Sequence, residues 1–170
     1  MVVKKAVKYI NYKSMNKENK KRYKALELAY LKEKHPTIPE SFLATTSISD
    51  KSANGLTRMI VSFIQMSGYQ AERINTMGTY RAAKKYTNLD GVTRTVGKGS
   101  YTKSGSTPGS ADISATINGR SVKIEVKIGA DRQSDAQKAY EKAIVQAGGW
   151  YLICKNFDDF IEWFDSFMEN

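Results

Sequence analysis

From residue 109 onward the chain alternates polar and apolar positions in the manner of a sheet. Val122, Ile124 and Val126 fall on one face with Ile113 and Ala115; Asp112, Ser114, Thr116, Ser121, Lys123, Glu125 and Lys127 fall on the other. Between the two runs stands Asn118-Gly119, a pair that accepts positive φ at both positions. The pattern therefore predicts a two-residue hairpin with Ile117 opposite Arg120 and Ser114 opposite Lys123. A slip of one residue would turn the apolar set outward, which fixes the register. Elsewhere the period becomes helical. Tyr23, Leu26, Tyr30 and Leu31 space a helix over 16–34, stopped at His35-Pro36, with His35 as a C-terminal cap. Leu56, Met59, Ile60, Phe63 and Ile64 stripe a core helix over 54–67, ended by Gly68. Ala136, Ala139, Tyr140, Ala143, Ile144 and Ala147 form a small-residue stripe over 134–146, suited to close packing on a sheet, with Tyr140 mainly core. A last helix, capped by Asn156, places Phe157, Phe160, Ile161, Phe164 and Phe167 inward. Strands are expected at 69–74 and, buried, at 150–154.

The order helix, strand, hairpin, helix, strand, helix describes an α/β domain with a mixed sheet. The missing Gly-rich fingerprint excludes a dinucleotide-binding βαβ array. Residues 75–107 differ in character. Gly, Ser and Thr dominate, and Arg81, Lys84, Lys85, Arg94, Lys98 and Lys103 stand against Asp90 alone. Asp90-Gly91 predicts a second, exposed hairpin. Tyr80, Tyr86 and Tyr101 interleave with the cations, a combination that fits phosphate contacts plus stacking on unpaired bases. A solvated insertion is the competing account.

Composition narrows the partners. A formal charge of +10 and a pI near 9.6 point to a polyanion. Residues 1–24 hold nine Lys or Arg against Glu18, which makes either a basic arm along phosphates or a solvated lysine face. The sequence has no long apolar run, signal segment or lipidation motif, so a soluble cytoplasmic protein is expected in preference to one on a membrane. One cysteine and one histidine exclude an intrachain disulfide and a Cys/His zinc cluster. Cys154 reads as a buried, inert thiol. The last helix carries Asp158, Asp159, Glu162, Asp165 and Glu169 and no base; these acids read as solvated surface that faces away from DNA.

The hairpin register carries the candidate chemistry. Extended by one rung, it sets Asp112 opposite Glu125 with side chains about 5 Å apart. Like charges at that spacing repel unless neutralised. Lys127 supplies one positive charge on the same face. A divalent cation supplies more, because Mg²⁺ is commonly held by one or two carboxylates with several waters.

Asp112 followed by Glu125-Val126-Lys127 resembles the D…(D/E)xK signature of the PD-(D/E)XK nuclease superfamily. Gly109-Ser110-Ala111-Asp112 and the Ser134…Gln137 helix start are similar to its VRR-NUC branch. The resemblance spans about residues 54–154. It implies a restriction-endonuclease-like αβββαβ core within 51–170, carrying the basic insertion and the acidic C-terminal helix, preceded by an N-terminal basic helical arm over 1–50. It also implies Mg²⁺, replaceable by Mn²⁺, held by Asp112, Glu125 and the Val126 carbonyl. Lys127 would orient or activate the attacking water. Gln137 would lie near the metal or the DNA backbone, although Ser134 and Gln137 also form a capping box. The glutamate that the family often carries on its first core helix is missing; Asp50, Asn54 or Gln65 would stand in. Glu72 either joins the site or occupies a sheet edge. Arg73 and the insertion's cations are phosphate candidates, and Lys123 is either a DNA contact or a plain surface lysine.

The function expected from this resemblance is Mg²⁺-dependent DNA endonuclease activity. Its sharper form is a structure-selective enzyme for branched or junction DNA, a homodimer, in phage or mobile-element replication or repair. Two other classes remain open: a non-catalytic nucleic-acid-binding protein that retains the fold, and an interaction protein that binds a protein partner through its charged faces.

Overall fold

The computed structural model describes residues 15–75, 78–103 and 105–169. The basic stretch at 1–14, part of the expected arm, lies outside the described residues. The elements are α1 (Lys17–Lys34), α2 (Ala53–Met66), β1 (Gln70–Arg73), β2 (Thr79–Arg81), β3 (Lys84–Thr87), β4 (Thr93–Val96), β5 (Ser100–Thr102), β6 (Ile113–Ile117), β7 (Arg120–Val126), α3 (Asp135–Gln146), β8 (Trp150–Cys154) and α4 (Phe157–Met168). Four strands form one sheet in the order β1-β6-β7-β8. β6 is antiparallel to both of its neighbours, β1 and β7, and β8 runs parallel to β7. The fold is mixed α/β.

The central hairpin has the expected register, with Ile117 opposite Arg120, Ser114 opposite Lys123 and Ile113 opposite Ile124. Asn118 and Gly119 both take positive φ, 53° and 74°, as a tight turn matched to the strand twist requires. The apolar face of the sheet, including Ile113, Ile117, Val122 and Ile124, is buried beneath α2 and α4. Phe63 of α2 meets Phe157, Phe160 and Phe164 of α4 edge-on, at centroid separations of 5.4–5.8 Å. Cys154 is buried in the same core, where burial pushes its thiol pKa up and keeps it inert.

Helix α1 forms an outer layer. Asn16 caps its first turn, and the His35 amide donates to the Leu31 carbonyl at its end. Tyr23 enters the common core against Phe63 and Phe157. Two acids of α4 hold the helix in place, which corrects the reading of that acidic row as solvated surface. Asp165 takes both guanidinium nitrogens of Arg22 at 2.7 Å. Asp158 accepts from the Asn16 amide and from Asn19 Nδ2. The acids of α4 are thus partly used up on the basic helix beside them. No helix of the described residues is long and apolar enough to cross a membrane.

Two further expectations are corrected. β8 is an edge strand, with Trp150 exposed and only Leu152 and Cys154 buried. The alanine stripe of α3 faces solvent: Ala136, Ala139, Ala143 and Ala147 are exposed. Gln137, Tyr140, Glu141 and Ile144 form the half-buried row instead, at the spacing of one helical face. Tyr140 meets Tyr151 of β8 edge-on at 6.4 Å. The helix therefore lies along the outer strand on its larger side chains and leaves the centre of the polar face uncovered.

Candidate active site

The site occupies the polar face at the end of the central hairpin. The β6–β7 ladder begins at Ile113, and Asp112 stands one residue earlier. Its carbonyl accepts from the Ile74 amide at 2.8 Å, and its Oδ2 accepts from the Val126 amide at 2.9 Å. A side-chain oxygen thus continues the ladder where backbone pairing stops, fixing Asp112 against both neighbouring strands. The chain reaches this position through a turn in which the Ser110 amide and hydroxyl both donate to the Thr107 carbonyl. Gly109 in that turn has φ +79°, and a Cβ there would overlap the Ala136 carbonyl at the start of α3. Glycine is needed twice over: for its backbone conformation and for its close approach to α3.

Glu125 is almost fully buried despite lying on the polar face. Its Oε1 receives Lys127 Nζ at 3.0 Å and Gln137 Nε2 at 2.5 Å. Gln137 acts in two places at once. Its Oε1 accepts from the Ser134 amide at 2.9 Å while the Ser134 hydroxyl accepts from the Gln137 backbone amide, completing the capping box. The amide group thus bridges the helix start to the carboxylate. Gln137 caps α3 and holds Glu125 at the same time.

Electrostatics mark the cluster as charged and crowded. Burial pushes the Glu125 carboxyl up; the hydrogen bond from Lys127 pulls it down, the Asp112 charge pushes it up again, and the net shift is upward. Burial works against the Lys127 charge, but the hydrogen bond and charge of Glu125, with Asp131, outweigh it and raise the lysine's pKa. Lys127 is therefore a firmly protonated cation between Glu125 and Asp131, whose Oδ2 lies 3.4 Å away. Behind them Tyr151 has a buried hydroxyl without a hydrogen-bond partner. Gln133 is near enough to bias its ionisation but outside hydrogen-bond geometry, and its amide donates instead to Glu141 at 2.8 Å.

One atom bears directly on metal binding. Glu125 Oε2 is buried with no hydrogen-bond partner. A desolvated, unsatisfied carboxylate oxygen costs free energy that a cation would offset. The Asp112 carboxylate is near enough for its charge to act on Glu125, and two carboxylates offer oxygen donors, the type that suits Mg²⁺ or Mn²⁺. Among the described residues, no group of three or more His, Cys, Asp or Glu side chains converges as a ready metal cage. The donor set fits an ion that keeps much of its water, as Mg²⁺ does.

No family model matches this chain, and no curated protein matches it.

The stand-ins for a first-helix acid are engaged elsewhere. Asp50 accepts from the Phe157 amide at the start of α4 (3.4 Å), Asn54 from Arg73 at 2.8 Å, and Gln65 donates to the Ala71 carbonyl at 2.8 Å. Glu72 is exposed on β1, opposite Ser114. Lys123 is half-buried and donates to the Ser114 hydroxyl at 2.5 Å. Arg81, Lys84, Lys85, Arg94, Lys98 and Lys103 are all exposed on the segment between β1 and β6.

Sequence reasoning missed a group of cations beside Lys127. Lys127, Arg132, Lys138 and Lys155, with Asp131, Gln133 and Ile153, line a cleft of about 490 Å³. The parallel register pairs Val126 with Cys154, and the Lys127 amide donates to the Cys154 carbonyl at 2.9 Å. Lys127 and Lys155 thus leave adjacent strand ends together. Such carboxyl ends of parallel strands are recurrent ligand sites, but the β7–β8 register that juxtaposes them is not written in either strand alone.

Proposed function

We propose that this protein is a metal-dependent nuclease that hydrolyses DNA phosphodiester bonds at the Asp112–Glu125–Lys127 cluster. The observation that carries the reading is the buried, unpartnered Glu125 Oε2 beside a second fixed carboxylate and a protonated lysine. The order of α2, β1, β6, β7, α3 and β8 agrees with the αβββαβ core of PD-(D/E)XK nucleases, and the VRR-NUC resemblance supplies the reaction class.

Asp112 and Glu125, with the Val126 carbonyl, would hold the cation. Bound there, a divalent ion supplies Lewis-acid polarisation of the phosphate and a water of lowered pKa. Lys127 keeps its proton and so works as a charge and hydrogen-bond donor, orienting the attacking water and offsetting charge that builds on the phosphate. Gln137 fixes one oxygen of Glu125 and leaves the other facing the cation position, a positioning role of the kind that tunes metal ligands. Arg132, Lys138 and Lys155 would receive the neighbouring phosphates of the strand.

The test is cleavage of single-stranded, duplex, flap and four-way-junction DNA with Mg²⁺, Mn²⁺ or EDTA. Metal-dependent cutting supports the proposal and ranks the substrates, including the branched ones; binding without cutting overturns it. That second outcome would favour a nucleic-acid-binding protein that retains the fold, a reading supported by the engagement of Asp50, Asn54 and Gln65 away from the carboxylate pair.

A further inference from the structure

Between β1 and β6 the chain forms a ribbon of two strands. β2 pairs with β5 and β3 with β4, each pair antiparallel and joined to no other strand. Between the two ladders, residues 82–83 on the outgoing strand face 97–99 on the returning one, so the return carries one extra residue at Gly97, φ +82°. Such a bulge bends and twists a ribbon. At the tip Asn88 closes the turn: its carbonyl accepts from Gly91 and its side chain accepts from Val92 at 2.8 Å.

This ribbon has no apolar face to bury. All four strands are exposed throughout, with Tyr86 at 72% and Val96 at 60%. An isolated two-stranded hairpin is only marginally stable in water. A surface of this form therefore gains most from a partner, and its charge says which kind. Residues 78–103 contain Arg81, Lys84, Lys85, Arg94, Lys98 and Lys103 against Asp90. A second ribbon of the same charge would be repelled, and a polyanion attracted.

The register sorts the side chains. Lys84, Tyr86, Arg94 and Val96 share one face, with Tyr86 directly opposite Arg94; Lys85, Thr87, Thr93 and Thr95 share the other. The aromatic pair nearer the core has a structural use. The Tyr80 side chain lies against Gly99 and the Tyr101 side chain against Gly78, where a Cβ at either glycine would overlap the phenol. Each ring is laid across the opposing strand and so lies along the ribbon, although Tyr80 stays 68% and Tyr101 63% exposed. The feet of the ribbon also matter. It leaves after β1, where the Ile74 amide binds the Asp112 carbonyl, and returns through Gly109 to Asp112 itself.

We infer that the ribbon binds double-stranded DNA in the major groove, with the Lys84–Tyr86–Arg94–Val96 face toward the base edges, and so delivers duplex to the carboxylate site. The inference rests on the DNA reading of that site. Two strands about 4.8 Å apart with their side chains fit a groove about 12 Å wide, whereas the minor groove, about 6 Å wide, does not admit them. Arg94 can address guanine and Val96 a thymine methyl, the contacts that distinguish base pairs in that groove. The remaining cations contact phosphate.

The experiment measures DNA affinity in EDTA, so that no strand is cut, for a short duplex and for its component single strand. Three proteins are compared: the full chain, the Lys84→Ala/Arg94→Ala double variant, and a variant with residues 80–101 replaced by Asn-Gly, a turn that closes the directly paired Thr79 and Thr102. The exposed double substitution cannot disturb the core. Expected is a preference of the full chain for duplex, lost by about tenfold or more in both variants. The log–log salt dependence of the double variant should stay close to that of the full chain, because both side chains face base edges. The variant without the ribbon also lacks Arg81, Lys85 and Lys98, so its slope should flatten by about 0.9 per lost phosphate contact. Methyl green, a major-groove ligand, should displace the protein, and the minor-groove ligand netropsin should not. Unchanged duplex affinity in both variants overturns the inference, as does competition by netropsin alone or a single-strand preference that disappears with the ribbon. Mg²⁺-dependent cutting by the ribbonless variant would leave the nuclease reading standing while the ribbon falls; ribbon-dependent duplex binding without any cutting would do the reverse.

Discussion

The molecule contains two hairpins built from similar local signals, and they end in opposite environments. β6–β7 turns at Asn118-Gly119 and β3–β4 around Asp90-Gly91. The first places Ile113, Ile117, Val122 and Ile124 on one face and is covered by two helices; the second offers threonine, lysine, arginine and tyrosine and is covered by nothing else in the described chain. Turn chemistry sets a register in both. Only the apolar face converts register into burial. Burial in turn lets the first hairpin hold charged groups in fixed, desolvated positions on its other face, while the second keeps its charges exposed to solvent.

The contrast is broken most severely by truncating an apolar side chain. Ile124→Ala should destabilise the protein by about 2–5 kcal/mol, whereas Val96→Ala on the ribbon should change stability by less than about 0.5 kcal/mol. Denaturant titration of both variants checks this; equal effects would mean that the ribbon packs on a core.

Next comes the join between the two regions. Gly109→Ala forces a residue with a Cβ into positive φ, costing about 1–2 kcal/mol before the overlap with Ala136 is counted. It should also shift α3 and pull Gln137 from Glu125, lowering cleavage by about 10–100-fold. Gln137→Ala should reproduce the activity loss. Ser134→Ala removes the cap alone, so it should lower stability by about 1 kcal/mol while largely sparing activity. Matched losses in Gln137→Ala and Ser134→Ala would reduce Gln137 to a cap.

A subtler test uses pH. The folded pKa of Glu125 is raised, so the folded state binds more protons than the unfolded one from about pH 4.3 upward to that raised value. Stability of the metal-free protein should therefore fall as pH rises through this window. Glu125→Gln should flatten that fall and be the more stable protein at neutral pH. Mg²⁺ should raise the thermal midpoint of the wild type and leave that of Glu125→Gln nearly unmoved. Melting curves at several pH values, with and without Mg²⁺, decide both points. A fall in neutral stability on Glu125→Gln would mean that its pairing with Lys127 outweighs burial.

The parts of the fold set by local periodicity were legible from the sequence. Asn118-Gly119 and the alternation around it gave the central register, and the stripes of α2 and α4 gave the core. Errors arose where an element's surroundings, not its own pattern, decide which side is buried. The alanines of α3 form a regular stripe, but the helix lies along an edge strand and half-buries Tyr140 and Ile144 instead. The acids of α4 look like a solvated row until α1 brings Arg22 and Asn19 against them. At the site, Asp112, Glu125, Lys127 and Gln137 could be selected from spacing and resemblance. Asp131, Arg132, Lys138 and Lys155 could not, because their convergence depends on the parallel pairing of β7 with β8.

The central claim is that the polar face of the β6–β7 hairpin cuts DNA. Its most direct test is Mg²⁺-dependent cleavage of the best substrate by the wild type, Asp112→Asn and Lys127→Ala, with DNA binding measured on the same samples. The account predicts cutting by the wild type and a loss of about 100–1,000-fold or more in each variant with binding retained. Cutting that survives either substitution, or a wild type that binds DNA and never cuts it, would contradict it.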